Sequence, residues 1–242
     1  MIPDLSWQED LYKITNKTPG FYRGSDLSEK EILKFFHLCD AFWLHDGDPE
    51  RPHAELTSGK CSNGFIDCLR VLQYRNLSQI LAGQLAQKVR KMIGPTIQVT
   101  IGSPMAGIYF ADDLGEALNA PIRMFVEKDP KNPGKMLWNR IKLRPEYRVL
   151  QVEELTTTSK TLNAVYEAVN EGNGDLVNWL PFVAILVHRP PKLPITHYGN
   201  REVIALIEKE IWAVEPADCP LCAAGSKRLR PKQNWAELTG KK

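Results

Sequence analysis

The sequence has no uninterrupted apolar run of the roughly 18 residues that a membrane-spanning helix requires, and no excess of charge of either sign. Thirty-one Lys and Arg face 29 Asp and Glu, leaving a formal net charge of +2. A global field that would draw the chain to nucleic acid or to a membrane surface is therefore missing. The opening "MIPDLSWQEDLYK" has acids where a secretory leader has basic residues, and it lacks a continuous apolar core, so a soluble, cytoplasmic protein is expected. Cysteine is sparse and odd in number, five in 242 residues, which excludes a secreted disulfide framework and implies reduced thiols. GxxxxGK[ST], GxSxG, and GxGxxG after the first sheet strand are all absent, excluding the common nucleotide-binding and hydrolase signatures. No internal repeat or low-complexity stretch is present.

What is present is an alternation of short apolar segments and amphipathic ones. The first sixty residues read as helical, with Ser28 and Glu31 forming a capping box before an apolar stripe at Ile32, Leu33, Phe35, Phe36, Cys39, Phe42 and Trp43. A second helix is expected from Leu77 to Ile93, stopped by Gly94 and Pro95. Strands follow at Ile97–Ile101, Ile122–Val126, Val149–Val152 and Phe182–Val187, with helices at Ala106–Leu118 and Thr161–Val169. Strands alternating with helices of this length predict parallel pairing, hence an α/β fold with a doubly wound parallel sheet. The expected divisions are an N-terminal helical and hood region over 1–75, an α/β core over 76–214, and a tail over 215–242.

Ligands of such sheets sit beyond the carboxyl ends of the strands, which directs attention to three segments: "IGSPMAG" at 101–107, "VEKDPKNPGK" at 126–135, and "VLQVEELTTTSKTL" at 149–162. In the last, two acids precede a hydroxyl-rich turn into a helix. Two readings stand side by side: a helix cap, or a concavity in which carboxylates meet sugar hydroxyls or a hard cation while hydroxyls and amides receive a phosphate. The irregular segment 127–148 reads as a lid or binding loop, with an extra hairpin in part of it as the alternative. Its Lys128, Lys131, Lys135, Arg140 and Lys142 are candidates to meet a phosphate, against the alternative of a solvated loop. Arg189 ends a strand and reads either as a ligand contact or as one half of a surface salt bridge. Cys219 and Cys222 have the spacing of a zinc half-site that needs further ligands from Cys61, Cys68 or histidine; a tail turn with two buried thiols is the alternative. The basic cluster Lys227, Arg228, Arg230 and Lys232 beside Trp235 reads as a solvated tail, with no nucleic-acid partner expected.

Five segments in order resemble the type I phosphoribosyltransferase family, most closely the orotate phosphoribosyltransferases of bacteria and archaea, over Pro52 to Pro231. They are "HAELTSGKCSNGFIDCLRVLQ", "VTIGSPMAGIYFADDLGEALNAPIRMFVEK", "VLQVEELTTTSKTL", "ILVHRP" and "CPLCAAG". The resemblance implies a type I phosphoribosyltransferase-like fold and an enzyme that moves phosphoribosyl from phosphoribosyl diphosphate to a pyrimidine base, releasing diphosphate. It implies Mg2+ bound through that diphosphate, small-molecule substrates, and a homodimer that shares its lid. Residue by residue, Glu153 and Glu154 would meet the ribose hydroxyls, and Thr157, Thr158, Ser159, Lys160 and Thr161 the 5′-phosphate. Ser103, Met105, Ala106 and Gly107 would approach the diphosphate, and Lys128 and Lys131 would be the catalytic lysines of the lid. Phe65 and Arg189 would hold the base. The chain departs from the family pattern at Glu154, where Asp is usual, at Ser159 and Lys160, where glycines are usual, and at Cys61, where histidine is usual. The lid also lacks the family's histidine. These departures define a second reading, a protein of this fold that binds phosphoribosyl diphosphate or a nucleotide for regulation without catalysis.

Overall fold

The computed structural model describes residues 25–92 and 96–241. The expectations for a leader in the opening residues, for helix before residue 25, and for a stop at Gly94 and Pro95 lie outside the described residues.

Helix α1 (Glu29–Leu38) begins with the expected capping box. Glu31 N–H donates to Ser28 Oγ, and the Glu31 carboxylate accepts from Ser28 N at 2.9 Å. The helix buries Ile32, Phe35 and Phe36. It does not continue through Phe42 and Trp43 as the apolar stripe suggested, because Asp40 turns to a positive φ of 52°. Phe42–Leu44 then forms strand β1, which pairs with β4 (Gly64–Ile66). Between them, β2 (His53–Glu55) and β3 (Cys61–Ser62) form a hairpin, so the helical reading of the first sixty residues fails beyond Leu38.

After the short α2 (Leu69–Leu72), helix α3 (Arg75–Met92) leads into β5 (Val99–Gly102), α4 (Ala106–Leu118) and β6 (Ile122–Phe125). Then come the hairpin β7 (Glu127–Lys128) and β8 (Met136–Leu137), β9 (Arg148–Thr156), α5 (Lys160–Asn173), β10 (Asn178–His188), β11 (His197–Tyr198) and β12 (Arg201–Glu208). Six of these strands form one sheet in the order β11-β12-β10-β9-β5-β6, parallel except for β11. Counted in chain order, the five parallel strands run 2-1-3-4-5, a doubly wound arrangement whose direction of winding reverses between β5 and β9. The sheet is covered on both faces, which is why its central strands read as unbroken apolar runs.

Alternation along β9 shows the two layers. Leu150 and Val152 enter the core shared with α1, α3 and α4. Val149 joins the opposite core, with Val165 and Val169 of α5 and with Trp138 and Leu143 from the segment after β8. That segment is thus only partly a loop. It contains the hairpin, and Leu143 exchanges two hydrogen bonds with the Asn173 side chain, N–H to Oδ1 at 2.6 Å and Nδ2 to O at 3.1 Å.

A second sheet, β13 (Ala213–Val214)-β3-β2-β14 (Arg228–Leu229), joins the N-terminal hairpin to the tail. The tail also holds α6 (Pro220–Ala223) and α7 (Trp235–Thr239). Its basic cluster is not simply solvated: Arg228 and Arg230 pair with Glu55 of β2, and Lys227 pairs with Glu237.

Helix α4 lies so close to β5 that Gly102 has no room for a side chain. A Cβ there would stand 2.3 Å from the Gly107 carbonyl oxygen and 2.8 Å from the Ala111 Cβ. Gly102→Ala is expected to destabilise the protein by about 1–3 kcal/mol, the range for overpacking, because backbone rather than a pliable side chain must move. Urea denaturation of the two proteins at equal concentration checks this.

Candidate active site at the sheet switch point

The strand carrying the two acids is longer than the sequence pattern suggested. β9 runs to Thr156, so Glu153 and Glu154 lie within it rather than after it. Successive residues of a strand face opposite sides. Glu153 therefore follows Val149 and Gln151 toward the α5 face, while Glu154 follows Leu150 and Val152 toward α4. The two carboxylates straddle the sheet beside its switch point.

Glu153 is 1% exposed. Its Oε2 accepts from Ser103 Oγ at 2.5 Å, and its Oε1 has no hydrogen-bond partner among the described residues. Burial pushes its carboxyl up to about 8; the Ser103 hydrogen bond opposes this shift and the neighbouring Glu154 charge adds to it. Glu154 is also raised by burial, with its own backbone N–H and the Lys128 ammonium acting in the opposite sense. Its Oε2 is buried without a partner and faces Gly107, where a Cβ would come within 2.9 Å of both that oxygen and Ser103 Oγ. The missing side chain at position 107 leaves a cradle between α4 and β9. Buried polar atoms without partners are uncommon in folded proteins and call for an explanation, of which a ligand, an ion or an ordered water is one.

The hydroxyl-rich turn 157–159 leads into α5. Its N-cap residue Ser159 makes no side-chain cap, and the first turn contains no acid. The capping reading is thus not realised, and the amides of a 14-residue helix are presented at its positive end. Thr158, Lys160 and Thr161 are exposed, while Thr157 and Ser159 are half-buried. Ser159 has φ −74°, and among the described residues the only non-glycines at positive φ are Asp40 and Asn119. The turn therefore accommodates Ser159 and Lys160 without the backbone conformation that glycine alone favours. Two residues with no obvious sequence signal hold this helix in place: Gln151 Nε2 donates to the Leu162 carbonyl at 2.9 Å, and the buried Arg201 donates to Gln151 Oε1 at 2.6 Å and to Asn163 Oδ1 at 3.0 Å.

Met105 lies 65% exposed just before α4, next to the half-buried Ala106. Lys128 projects from β7 near enough to act on Glu154. Lys131 is exposed in the turn of the hairpin, its N–H held by Asp129 Oδ1 at 2.8 Å. Arg140 pairs with Glu127 at the surface, and Lys142 donates to the Gly172 carbonyl at 2.5 Å on the C-terminal side of α5.

Arg189 continues from β10, its N–H donating to the Thr156 carbonyl at 2.8 Å. Among the described residues it makes no surface salt bridge. Its Nε and Nη1 are buried without hydrogen-bond partners, and burial lowers its pKa. Beside it, Cys68 donates to the Glu154 carbonyl at 3.3 Å and is raised well above the ordinary thiol range by burial. A buried guanidinium with unused donors is suited to a carboxylate or carbonyl ligand. Phe65 is half-buried, and its ring meets Trp235 of α7 at 6.1 Å, edge to face, rather than the strand-end acids. His188, which ends β10, is fully buried and bonded to Glu208 and Tyr198, so it is a structural residue.

Acids, a phosphate-type turn and a small-residue loop at the switch point of a 2-1-3-4-5 sheet define a type I phosphoribosyltransferase fold. Two solved structures share it: orotate phosphoribosyltransferase from Aeropyrum pernix, at 18% identity and a TM-score of 0.52 over 73% of this chain and 93% of that one, and Leishmania donovani UMP synthase, at 18% identity and 0.54 over 77% and 37%. No family model matches the chain. Among sequence relatives, the orotate phosphoribosyltransferase of Pelotomaculum thermopropionicum is 32% identical over 179 residues, 74% of this chain and 87% of that one, and that of Heliobacterium modesticaldum is 29% identical over 212 residues, 85% and 98%. The chain belongs to the orotate phosphoribosyltransferase family.

The Glu153 pKa gives a pH prediction. A ligand that uses Glu153 as a carboxylate must bind the ionised form, which is depleted below about pH 8 and shrinks about tenfold for each pH unit further down. Affinity for phosphoribosyl diphosphate with Mg2+ is expected to fall as pH is lowered from 8 to 6 and to level off above 8. Titration calorimetry on wild type and Glu153→Gln checks this: the variant should lose most of the slope.

Proposed function

We propose that the chain transfers phosphoribosyl from phosphoribosyl diphosphate to orotate or a closely related pyrimidine, releasing diphosphate. The observation that best supports this is the pair of buried carboxylate oxygens without partners among the described residues, Glu153 Oε1 and Glu154 Oε2, directed to opposite faces of the sheet beside the switch point. Ribose hydroxyls would donate to them, and the 5′-phosphate would sit on the turn 157–161 at the start of α5. The diphosphate would occupy the cradle formed by Ser103, Met105, Ala106 and Gly107, with Lys128 and Lys131 closing from the hairpin. Arg189 would pair with a carboxylate or carbonyl of the base, and Phe65 would border that end of the site.

Buried carboxylate oxygens are hard donors and fit Mg2+. The ion would ride mainly on the substrate's diphosphate and supply charge neutralisation of the leaving group. The C1–O bond to diphosphate breaks with its electron pair, and a deprotonated ring nitrogen of the base supplies the pair for the new C1–N bond. The residues' work is to orient the two reactants, to place cationic groups where charge develops on the diphosphate, and to keep water from the oxocarbenium-like carbon.

The five free cysteines suit a reducing compartment, and no helix among the described residues is long and apolar enough to cross a membrane. We place the reaction in the cytoplasm. We also propose a homodimer that uses the outer face of α4 and β6. Tyr109 and Phe125 are 58% and 41% exposed there, and the Arg123–Asp112 ion pair holds the two elements side by side. Tyr109→Glu should shift the protein toward monomer in light-scattering measurements at micromolar concentration, whereas wild type remains a dimer.

Mixing purified protein with phosphoribosyl diphosphate, Mg2+ and a panel of bases tests the activity. Diphosphate release is expected with orotate, and Lys128→Ala or Lys131→Ala should lower kcat by about 10²–10³-fold, as for loss of one preorganised electrostatic contact. Ligand binding with no turnover on any base would replace this reading with the non-catalytic one.

A further inference from the structure

We propose that His53, Cys61, Cys219 and Cys222 form a structural zinc site that fastens the N-terminal hairpin to the C-terminal tail. Their four ligand atoms all lie within 4.8 Å of one another. His53 Nε2 is 3.6 Å from Cys219 Sγ and 3.4 Å from Cys222 Sγ, and Cys61 Sγ is 3.5 Å from Cys222 Sγ. A tetrahedron with Zn–S near 2.3 Å and Zn–N near 2.0–2.1 Å has edges of about 3.5–3.8 Å, so these three of its six edges are already close to those of a Cys3His shell, and the other three lie within 4.8 Å. Three of the four residues are at most 2% exposed, as expected of a closed structural site rather than one with an open position.

The surrounding hydrogen bonds orient the imidazole. Ser226 Oγ donates its one proton to the Arg51 carbonyl at 2.6 Å, so toward His53 Nδ1, at 2.8 Å, it must accept. The Nδ1 nitrogen then carries the hydrogen, and the lone pair is left on Nε2, the atom facing the thiols. A metal-bound histidine needs this tautomer, set by a partner on its other nitrogen. Cys222 N–H points at Cys219 Sγ at 3.4 Å, a contact strengthened if that sulfur is a thiolate. Cys68, the other candidate ligand by sequence, lies beside Glu154 and Arg189 and takes no part.

The tail also needs such a fastening. The helical turn 216–218 and α6 bury no residue apart from the capping Cys219, and the ladders β13–β3 and β14–β2 are two residue pairs each. Segments this poor in core are commonly held by a metal or a disulfide. Zinc here would anchor both ends of the turn 56–60, since His53 precedes it and Cys61 follows it directly.

Protein purified under reducing conditions from zinc-replete cells should contain one zinc per chain by elemental analysis. Exchange with Co2+ should give the intense visible absorption of a tetrahedral ion with thiolate charge-transfer bands. Ser226→Ala, which keeps all four ligands, should weaken zinc affinity about 10–100-fold, and Cys222→Ser should abolish stoichiometric binding, while Cys39→Ser leaves it intact. Absence of zinc in the replete protein, a Co2+ spectrum without thiolate bands, or an intact mass showing a Cys61–Cys222 disulfide in its place would overturn the proposal. These readouts are independent of transferase activity.

Discussion

The site is governed by the burial of two adjacent carboxylates at the end of one parallel strand. β9 is covered on both faces, so the pleat sends Glu153 and Glu154 to opposite sides of the sheet, and neither can be fully solvated. Burying an ionised carboxylate without full hydrogen bonding is costly, and the protein relieves it in part by keeping the Glu153 carboxyl protonated up to about pH 8. Ser103 satisfies one oxygen of Glu153, and Lys128 acts on Glu154 from a distance. Gln151 and Arg201 also act on Glu153, and one oxygen of each acid stays without a hydrogen-bond partner among the described residues. The phosphoribosyl diphosphate and Mg2+ proposed above would supply the missing partners, and the acids would then fix the ligand's orientation from both faces.

The neighbouring elements make sense as supports for that pair. Gly102 lets α4 approach β5, and Gly107 keeps the space in front of Glu154 clear. Gln151, one step back on the Glu153 face, ties the first turn of α5 to the strand through the Leu162 carbonyl, and Arg201 reinforces it from β12. Sheet, acids and phosphate-type turn are therefore held in one frame by buried hydrogen bonds, whereas Lys128 and Lys131 stand on a two-pair hairpin. This division suits a site whose binding surfaces are rigid and whose closing groups move.

The alternation of apolar segments made the sheet legible in the sequence, because parallel strands buried on both faces leave runs such as "FVAILV" that admit little else. Strand ends were less legible. Glu153 and Glu154 read as a boundary because charge commonly ends a strand, yet register with β10 continues to Thr156, and the acids are inside. The helical stripe through Phe42 and Trp43 misled because period 3.6 and a turn followed by a short strand place aromatics similarly over seven residues; only the backbone at Asp40 separates them. His53 carried no local signal as a companion to Cys219 and Cys222, since the antiparallel β2–β3 pair and the parallel β14–β2 pair bring it there across more than 160 positions.

Ser159 and Lys160 weigh differently once the geometry is known. Glycines at those positions would be needed if the turn visited positive φ, and it does not. What remains is electrostatic. A lysine in the first turn of a helix opposes the macrodipole, at a cost of about 0.3–1 kcal/mol, and here no acid in that turn relieves it. A chain that keeps an ammonium at the positive end of a helix, beside amides left without a side-chain cap, concentrates positive potential at one spot. A phosphate dianion, as proposed for this turn, would resolve that conflict. If the proposed phosphate site is right, Lys160 would serve there as a charged replacement for close backbone approach.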